Sequence, residues 1–530
     1  MKPVYGLLLL VFLLLFRNVF GQMENNSVLD KKITIEAHQA SIAFILDKIS
    51  TQSQVYFSYD ALLIEADKKT DISITDKTIR EILVALFDSK FEFKVFGDQI
   101  VIAKPEDDGI RKDTAGLGKE PKNITFKGKI IDREEKVVLP YTSISVLKSN
   151  IGTVSNSDGE FELKIPGSMN QDTIIFSFLG YRQLRKPINE IIDTSYVIYL
   201  QPTSVQLKEI KVEGINPEEI INKILSKIYL NYSREPEIMT SFYREVLKQD
   251  DEYIDVAEAV MEIRKAPYDN TFEEDKVKFI KGRKSLNVKP FKYVDFKIQG
   301  GPYYITKLDV VKTLDSFLDP EYRFFYKYTL DEIVEFDNRE AYVIRFKPKE
   351  KVDYPCYQGK LYVDMATFAL VEAEFSLNRM GLKFARESFI RKKPIGLFVR
   401  PLSAEYTVSY RHSDNKWHLN NAQASINFKV KSKKENLNST FHSVSDLVIT
   451  DFKPDDGTHY KKNEMFNPKD IFSEKISGYN KDFWGDYNII KPSEDLMNSL
   501  QNYYLKNDTL FKSNEINTHI PNNQNQIKTK

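Results

Sequence analysis

Apolar residues change their spacing several times along this chain, and each change marks a predicted element. Ile33 and Ile35 alternate with polar neighbours, the period of a half-buried strand, and then Ile42, Ile45, Leu46 and Ile49 fall on one helical face. Val55 and Phe57 return to alternation. The pattern then repeats. Ile72 and Ile74 alternate, Ile79, Ile82, Leu83 and Leu86 form a second helical stripe, and Phe91, Phe93 and Val95 alternate again. A further strand over 100–103 follows the Gly97-Asp98 turn. Two β-α-β units predict a small α+β domain over residues 31–105, one sheet with two helices packed on it. Residues 106–123 are charged, contain Gly and Pro, and lack apolar periodicity, as a linker does.

From residue 124 to 201 the period is two throughout. Strands are predicted over 126–130, 140–146, 152–154, 161–163 and 174–178. Asp158-Gly159 between two alternating runs reads as a hairpin turn, because such turns need positive φ. An Asn156-Ser157-Asp158-Gly159 calcium loop is disfavoured, since the acidic spacing of a full site is missing. These features predict an all-β sandwich, and the family resemblance given below implies a transthyretin-like one. Residues 202–215 form a connector containing the candidate strand residues Leu207, Glu209, Ile210 and Val212. It is either a strand offered to a partner's sheet edge or simply the end of the sandwich.

The remainder, 216–507, opens with a helix carrying Ile220, Ile224, Ile228 and Tyr229 on one face behind the acids Glu218 and Glu219. Strand pairs follow at 242–247 with 253–263, 328–336 with 341–346, 360–363 with 368–377, and 404–410 with 417–430. Val371, Ala373, Phe375 and Leu377 alternate with Glu372, Glu374 and Ser376. One sheet face is therefore expected to be apolar and the other wet. The prediction is a large antiparallel β-meander or half-barrel with a few helices, followed by a polar tail over 508–530.

Three resemblances attach to these segments. The strand with Ile33 and Ile35, the helix around Ile45 and Ile49, and residues 70–104 resemble the short N-terminal (STN) domain of secretins and TonB-dependent receptors. That likeness implies protein binding in the periplasm. Gly128, Pro140, Gly152-Thr153, Asp158-Gly159 and Gly180-Tyr181, in that order, resemble the carboxypeptidase-regulatory-like sandwich found before the plug of outer-membrane receptors, and no peptidase chemistry travels with it. The connector is similar to the string that joins sandwich to plug in those receptors. The segment Val343-Ile344-Arg345-Phe346-Lys347-Pro348 with 359–363 and Asp364 resembles the sheet of outer-membrane lipoprotein carriers, whose concave apolar face holds acyl chains. Phe242-Tyr243-Arg244-Glu245 and Gly282-Arg283-Lys284-Ser285 are similar to segments of envelope proteins of the same three-part layout, a likeness that implies no activity. Residues 216–530 are too few for a receptor's pore.

The N-terminus sets the expected compartment. Lys2, an uncharged apolar run over 7–16, and Gly21 follow the order of a secretory signal over residues 1–21, with an uncleaved anchor as the alternative. Export with a single cysteine, Cys356, rules out an internal disulfide, so stability must come from buried apolar surface. Removing 1–21 takes away Lys2 and Arg17 and no acid, leaving 74 basic against 76 acidic side chains. A net charge near −2 provides no general attraction for nucleic acid.

Candidate chemistry is sparse. His38, His412, His418, His442, His459 and His519 show no zinc-ligand spacing, although His412 and His418 flank a hairpin. Cys356 reads as a buried, inert thiol. There is no nucleophile elbow, phosphate loop or dinucleotide fingerprint. Glu372 and Glu374 resemble a catalytic carboxylate pair in spacing, but alternation turns them toward water, where nothing separates their pKa values. A buried cluster around Glu258, Glu262 or the histidines would point to an enzyme. The expectation is a non-enzymatic periplasmic or outer-membrane-associated binding or signal-relay protein. It would have no cofactor, metal or nucleic acid, and envelope proteins as partners. The alternative is a lipid or lipoprotein carrier using the face of Val371, Ala373, Phe375 and Leu377.

Overall fold

A computed structural model of the chain describes residues 28–103, 123–203 and 216–499, each with short internal breaks. The expected signal, most of the linker, Leu207, Glu209, Ile210 and Val212, and the tail lie outside the described residues. The chain divides into two compact units, one ending at Ile110 and one starting at Arg111.

The first unit has strands β1 (Lys32–Ser41), β2 (Tyr56–Tyr59), β3 (Lys69–Thr78), β4 (Glu92–Phe96) and β5 (Gln99–Ala103). The first strands of the two repeats, β1 and β3, pair antiparallel, while β2 and β4 flank β5. The repeats thus interleave into two small sheets where one was expected. Helices Ile42–Ser53 and Ile79–Phe87 bury Ile45, Leu46, Ile49, Ile79, Ile82 and Leu83. Phe87 fills the core position expected of Leu86, which is only partly covered. The second helix starts with a reciprocal cap: Thr78 Oγ1 accepts from the Glu81 N–H at 3.2 Å, and the Glu81 carboxylate accepts from the Thr78 N–H at 2.9 Å.

The second unit begins with a sandwich of β6 (Ile124–Asp132), β7 (Ser143–Val146), β8 (Gly152–Val154), β9 (Glu160–Ile165), β10 (Thr173–Ser177), β11 (Leu184–Pro187) and β12 (Ser195–Leu200). Its sheets, β11-β10-β7-β8 and β12-β6-β9, close over Phe126, Ile130, Ile144, Leu163, Ile174 and Phe176. The Asp158-Gly159 turn is not the hairpin that was expected, for β8 and β9 belong to opposite sheets. Gly159 has φ +72, and Asn156 Oδ1 takes the N–H groups of Asp158 and Glu160, so the side chain stabilises a corner between sheets.

The other strands are β13 (Glu237–Gln249), β14 (Glu252–Lys265), β15 (Lys276–Leu286), β16 (Lys297–Ile298), β17 (Tyr326–Phe336), β18 (Arg339–Pro348), β19 (Tyr357–Asp364), β20 (Leu370–Leu377), β21 (Ile390–Lys392), β22 (Phe398–Ser413), β23 (Lys416–Ser432) and β24 (Leu437–Pro454). β16 and β21 form a small separate pair. The other ten make one antiparallel sheet in the order β15-β14-β13-β24-β23-β22-β20-β19-β18-β17. This differs from a plain meander. After β15 the chain crosses to the far edge at β17 and works back, and the last strand, β24, zips against the first, β13, over the whole of β13.

Alternation gives the sheet an inner and an outer face. Ile220, Ile221 and Ile224 of the helix Pro217–Ser226 cover the inner face, together with Val310, Val311, Phe317, Leu318, Phe466 and Phe472. Asn216 caps that helix by accepting from the Glu218 N–H at 3.0 Å. One polar cluster is sealed within. Lys265 lies 2.8 Å from Asp275 and 2.6 Å from Asp309, and Tyr268 and Tyr410 donate to Asp309 at 2.8 and 2.7 Å. Burial works against the charge on Lys265, but the two carboxylates prevail and hold its pKa above the usual value.

Candidate functional site

The outer face carries a polar row that crosses all ten strands in direct register. It runs Thr329, Arg345, Lys360, Glu374, Thr407, Gln423, Asp446, Arg244, Glu258, Arg283 from β17 to β15. Opposed residues on one face of an antiparallel pair lie close together, and Gln423 donates to Asp446 across its strand pair at 2.7 Å. At one end Glu258 is fully buried between Arg244 at 2.7 Å and Arg283 at 2.6 Å. Burial raises its pKa, yet the two guanidinium groups outweigh this and hold it below the ordinary value. Lone outer-face residues also meet the chain's last described stretch: Trp484 packs edge-on against Phe242 and Arg283 stacks over Trp484.

The sandwich is seated on this outer face. Tyr141 donates to Asp446 at 3.3 Å, Asn150 donates to the Phe452 carbonyl at 2.8 Å, and the Gly180 N–H donates to the Glu335 carbonyl at 3.0 Å. Residues 484–496 run along the seam as a strap. Asn488 bonds the Lys164 backbone on both sides, Lys491 pairs with Glu160 at 2.6 Å, and the Glu494 N–H donates to Asp158 at 2.7 Å. Val154 of the sandwich joins Phe242, Val260, Val448, Trp484 and Ile490 in one apolar cluster across the seam.

Seam contact is incomplete, and a cavity of about 600 Å³ remains between β7 and β10 of the sandwich and β20, β22 and β23 of the sheet. That volume lies within the range of about 300–1,000 Å³ typical of small-molecule sites. Ser145, Ser177 and Phe178 face it from the sandwich; Glu372, Glu374, Thr407, Ser409, Arg411, Asn421 and Gln423 face it from the sheet. Burial first, and the neighbouring Glu374 second, lift Glu372 to about 8. Tyr362 donates to Glu374 at 3.3 Å. Burial likewise raises Asp337 at the cavity's rim.

Arg411 is 9 % exposed, and burial lowers it to about 10 against the attraction of Asp451. Its Nη2 donates to the Asn150 carbonyl at 2.5 Å, anchoring the sandwich. A Cβ on Gly152 would collide with the guanidinium, so a glycine there lets β8 approach Arg411. Arg411 Nε and Ser177 Oγ, both in cavity-lining residues, are buried without a hydrogen-bond partner. Buried polar groups in folded proteins are nearly always paired, and these two belong to a small set of unpaired side-chain atoms that also includes Trp417 Nε1.

The residues singled out from sequence have separate fates. Val371, Ala373 and Phe375 are buried in the inner core, with Phe375 5.2 Å from Phe317, and Leu377 packs beside Val399 and Phe428. The face expected to receive acyl chains is filled by the protein's own side chains. Glu372 and Glu374 do not form the open, solvated face that alternation implied; both are only partly exposed and line the cavity opposite the sandwich. The Glu258 cluster is an ion triad, and Glu262 accepts from Tyr460 at 2.7 Å. His412 and His418 do not face each other, being opposite Trp417 and Arg411 respectively, and His418 stacks on Phe452. Burial raises the Cys356 thiol above its ordinary pKa. Among the described residues no three His, Cys, Asp or Glu side chains converge as metal ligands. Sequence reasoning missed Arg411, Ser177 and Asn421, for a lone polar residue on a strand carries no signal until its neighbours are known.

Residues 126–212 match the family model described as CarboxypepD_reg-like domain. No curated protein matches the chain. Among solved structures, a DUF1329 family protein from Desulfovibrio piger ATCC 29098 is similar at a TM-score of 0.23 and 8 % identity, over 46 % of this chain and 96 % of that one. A LolA superfamily protein from Nitrosomonas europaea gives 0.18 and 11 %, over 46 % and 96 %. MucB in complex with MucA(peri) gives 0.14 and 11 %, over 45 % and 99 %. Superpositions this loose carry no argument about the task of this chain.

Proposed function

We propose that this chain is a non-enzymatic binding and relay protein of the Gram-negative envelope. It takes a small polar ligand in the seam cavity and signals occupancy through contacts of its receptor-like front modules with envelope proteins. The observation that carries the reading is the position of the cavity. Sandwich and sheet each supply part of its wall, so a ligand there touches both bodies and changes how they are held together. Cys356 carries the chain's one thiol, and burial raises its pKa, which disfavours the nucleophilic thiolate there. The carrier alternative is weakened by the filled inner face, where Val371, Ala373 and Phe375 have become core.

Native mass spectrometry of the full chain purified from a Gram-negative periplasm tests the reading. A retained small molecule is expected on the wild type and its loss on Ser145→Trp, which places an indole in the cavity. A photo-crosslinker at the exposed Phe44 of the first unit should capture an envelope protein in amounts that differ between the two forms. Identical masses and identical capture would overturn the proposal.

A further inference from the structure

The cavity has two chemically opposite ends. At one, Glu372 and Glu374 stand two residues apart on the outer face of β20 and line the wall. Two carboxyls side by side in such a wall repel each other when ionised, and a cation brought between them relieves that repulsion. At the other end stands Arg411, nine-tenths buried, with Nε unpartnered, and Ser177 Oγ is likewise without a bond in the opposite wall. A buried guanidinium with a free N–H is complementary to a carboxylate.

Sheet register sets the spacing between these ends. Glu372 is opposite Ser409, and Arg411 lies two residues further along β22. Two residues of rise and one inter-strand step place their backbones on the order of 8 Å apart. Two or three residues of extended peptide cover that distance at about 3.3–3.6 Å each. Between the ends the walls offer Thr407, Ser409, Asn420, Asn421 and Gln423, neutral donors and acceptors suited to peptide groups, and Phe178 from the sandwich.

We propose that the seam cavity binds a di- or tripeptide with free termini, its ammonium group between Glu372 and Glu374 and its carboxylate on Arg411 and Ser177. This assignment rests on the reading of the cavity as a ligand site and names the ligand's chemistry. The site needs the protein closed: Arg411 is held by the Asn150 carbonyl and Ser177 lies on β10, so undocking the sandwich dismantles the carboxylate end. Peptide therefore binds only the docked state and favours it.

The test is native mass spectrometry of the full-length protein with three pooled libraries of di- and tripeptides: free, N-acetylated and C-amidated. The free library should be retained, and either cap should reduce retention at least tenfold. Glu372→Gln, nearly isosteric, should weaken free peptides at least tenfold while leaving N-acetylated peptides unchanged. Arg411→Gln should remove the preference for a free carboxylate, but it also releases Asn150. Ser177→Ala is therefore the second probe of that end, with a several-fold loss expected. Equal retention of capped and free libraries, no retention of any library, or an unaffected Glu372→Gln would overturn the assignment. If no peptide is retained but the periplasmic protein carries another small molecule that Ser145→Trp lacks, the ligand reading stands and the peptide assignment falls. If neither is seen, both fall.

Discussion

On β20 the side chains of Val371, Ala373 and Phe375 point into a dry core, while Glu372 and Glu374, each one residue away, line a cavity. Both faces also hold buried charge, and they treat it differently. Inside, Lys265, Asp275 and Asp309 are paired, and Tyr268 and Tyr410 complete the bonding of Asp309. Outside, Glu258 near β15 has two arginines, whereas at the cavity Arg411 Nε on the sheet and Ser177 Oγ on the facing sandwich have no partner. A completed polar network rigidifies the fold, whereas an incomplete one costs stability until something binds. The inner face is thus assigned to stability, and the outer face is divided between docking and recognition.

Mutation can break this division. The largest effect is expected inside: Lys265→Met leaves Asp275 and Asp309 without their cation and should cost about 3–5 kcal/mol in urea unfolding. A loss below about 1 kcal/mol would mean that the inner cluster is not structural. Next comes the strap. Trp484→Ala removes the ring packed on Phe242 and under Arg283, a loss of about 3 kcal/mol for a buried aromatic. Faster amide exchange should appear along β8 and β24, with the inner core unchanged.

The proton at Glu372 acts through pH, and its sign is determined. Its folded pKa, about 8, lies above the ordinary 4.5, so between these values the folded chain keeps a proton that the unfolded chain releases. The associated stability is complete below about pH 4.5 and is lost as pH rises through about 8, by at most about 1.4 kcal/mol per pH unit. Melting curves of wild type and Glu372→Gln should diverge across this window, the variant being flatter. Parallel curves would return Glu372 to the solvated face that alternation suggests. The smallest effect is at the edge of the inner lid: Asn216→Ala deletes the cap of the helix Pro217–Ser226 and should cost about 1 kcal/mol.

Local periodicity determined a good deal unaided. The stripes of Ile42 to Ile49 and Ile79 to Leu83 became helices buried on those faces, and the alternation of 371–377 correctly separated apolar from polar residues. Such patterns are legible because a helix or strand needs only its own residues to repeat an apolar face. What covers each face was not legible. The carboxylates looked solvated because the sandwich that faces them across the cavity lies more than 170 residues away in sequence, and the apolar row looked open because its cover comes from 217–226, 302–318 and 466–472. Strand order was equally hidden: β13 meets β24 only after the whole sheet has been laid down. The ten-residue polar row exists in no segment of the chain, since each strand contributes one residue. Burial, charge pairing and unmet hydrogen bonds depend on neighbours brought together across long loops, and for this protein the tertiary structure alone decided them.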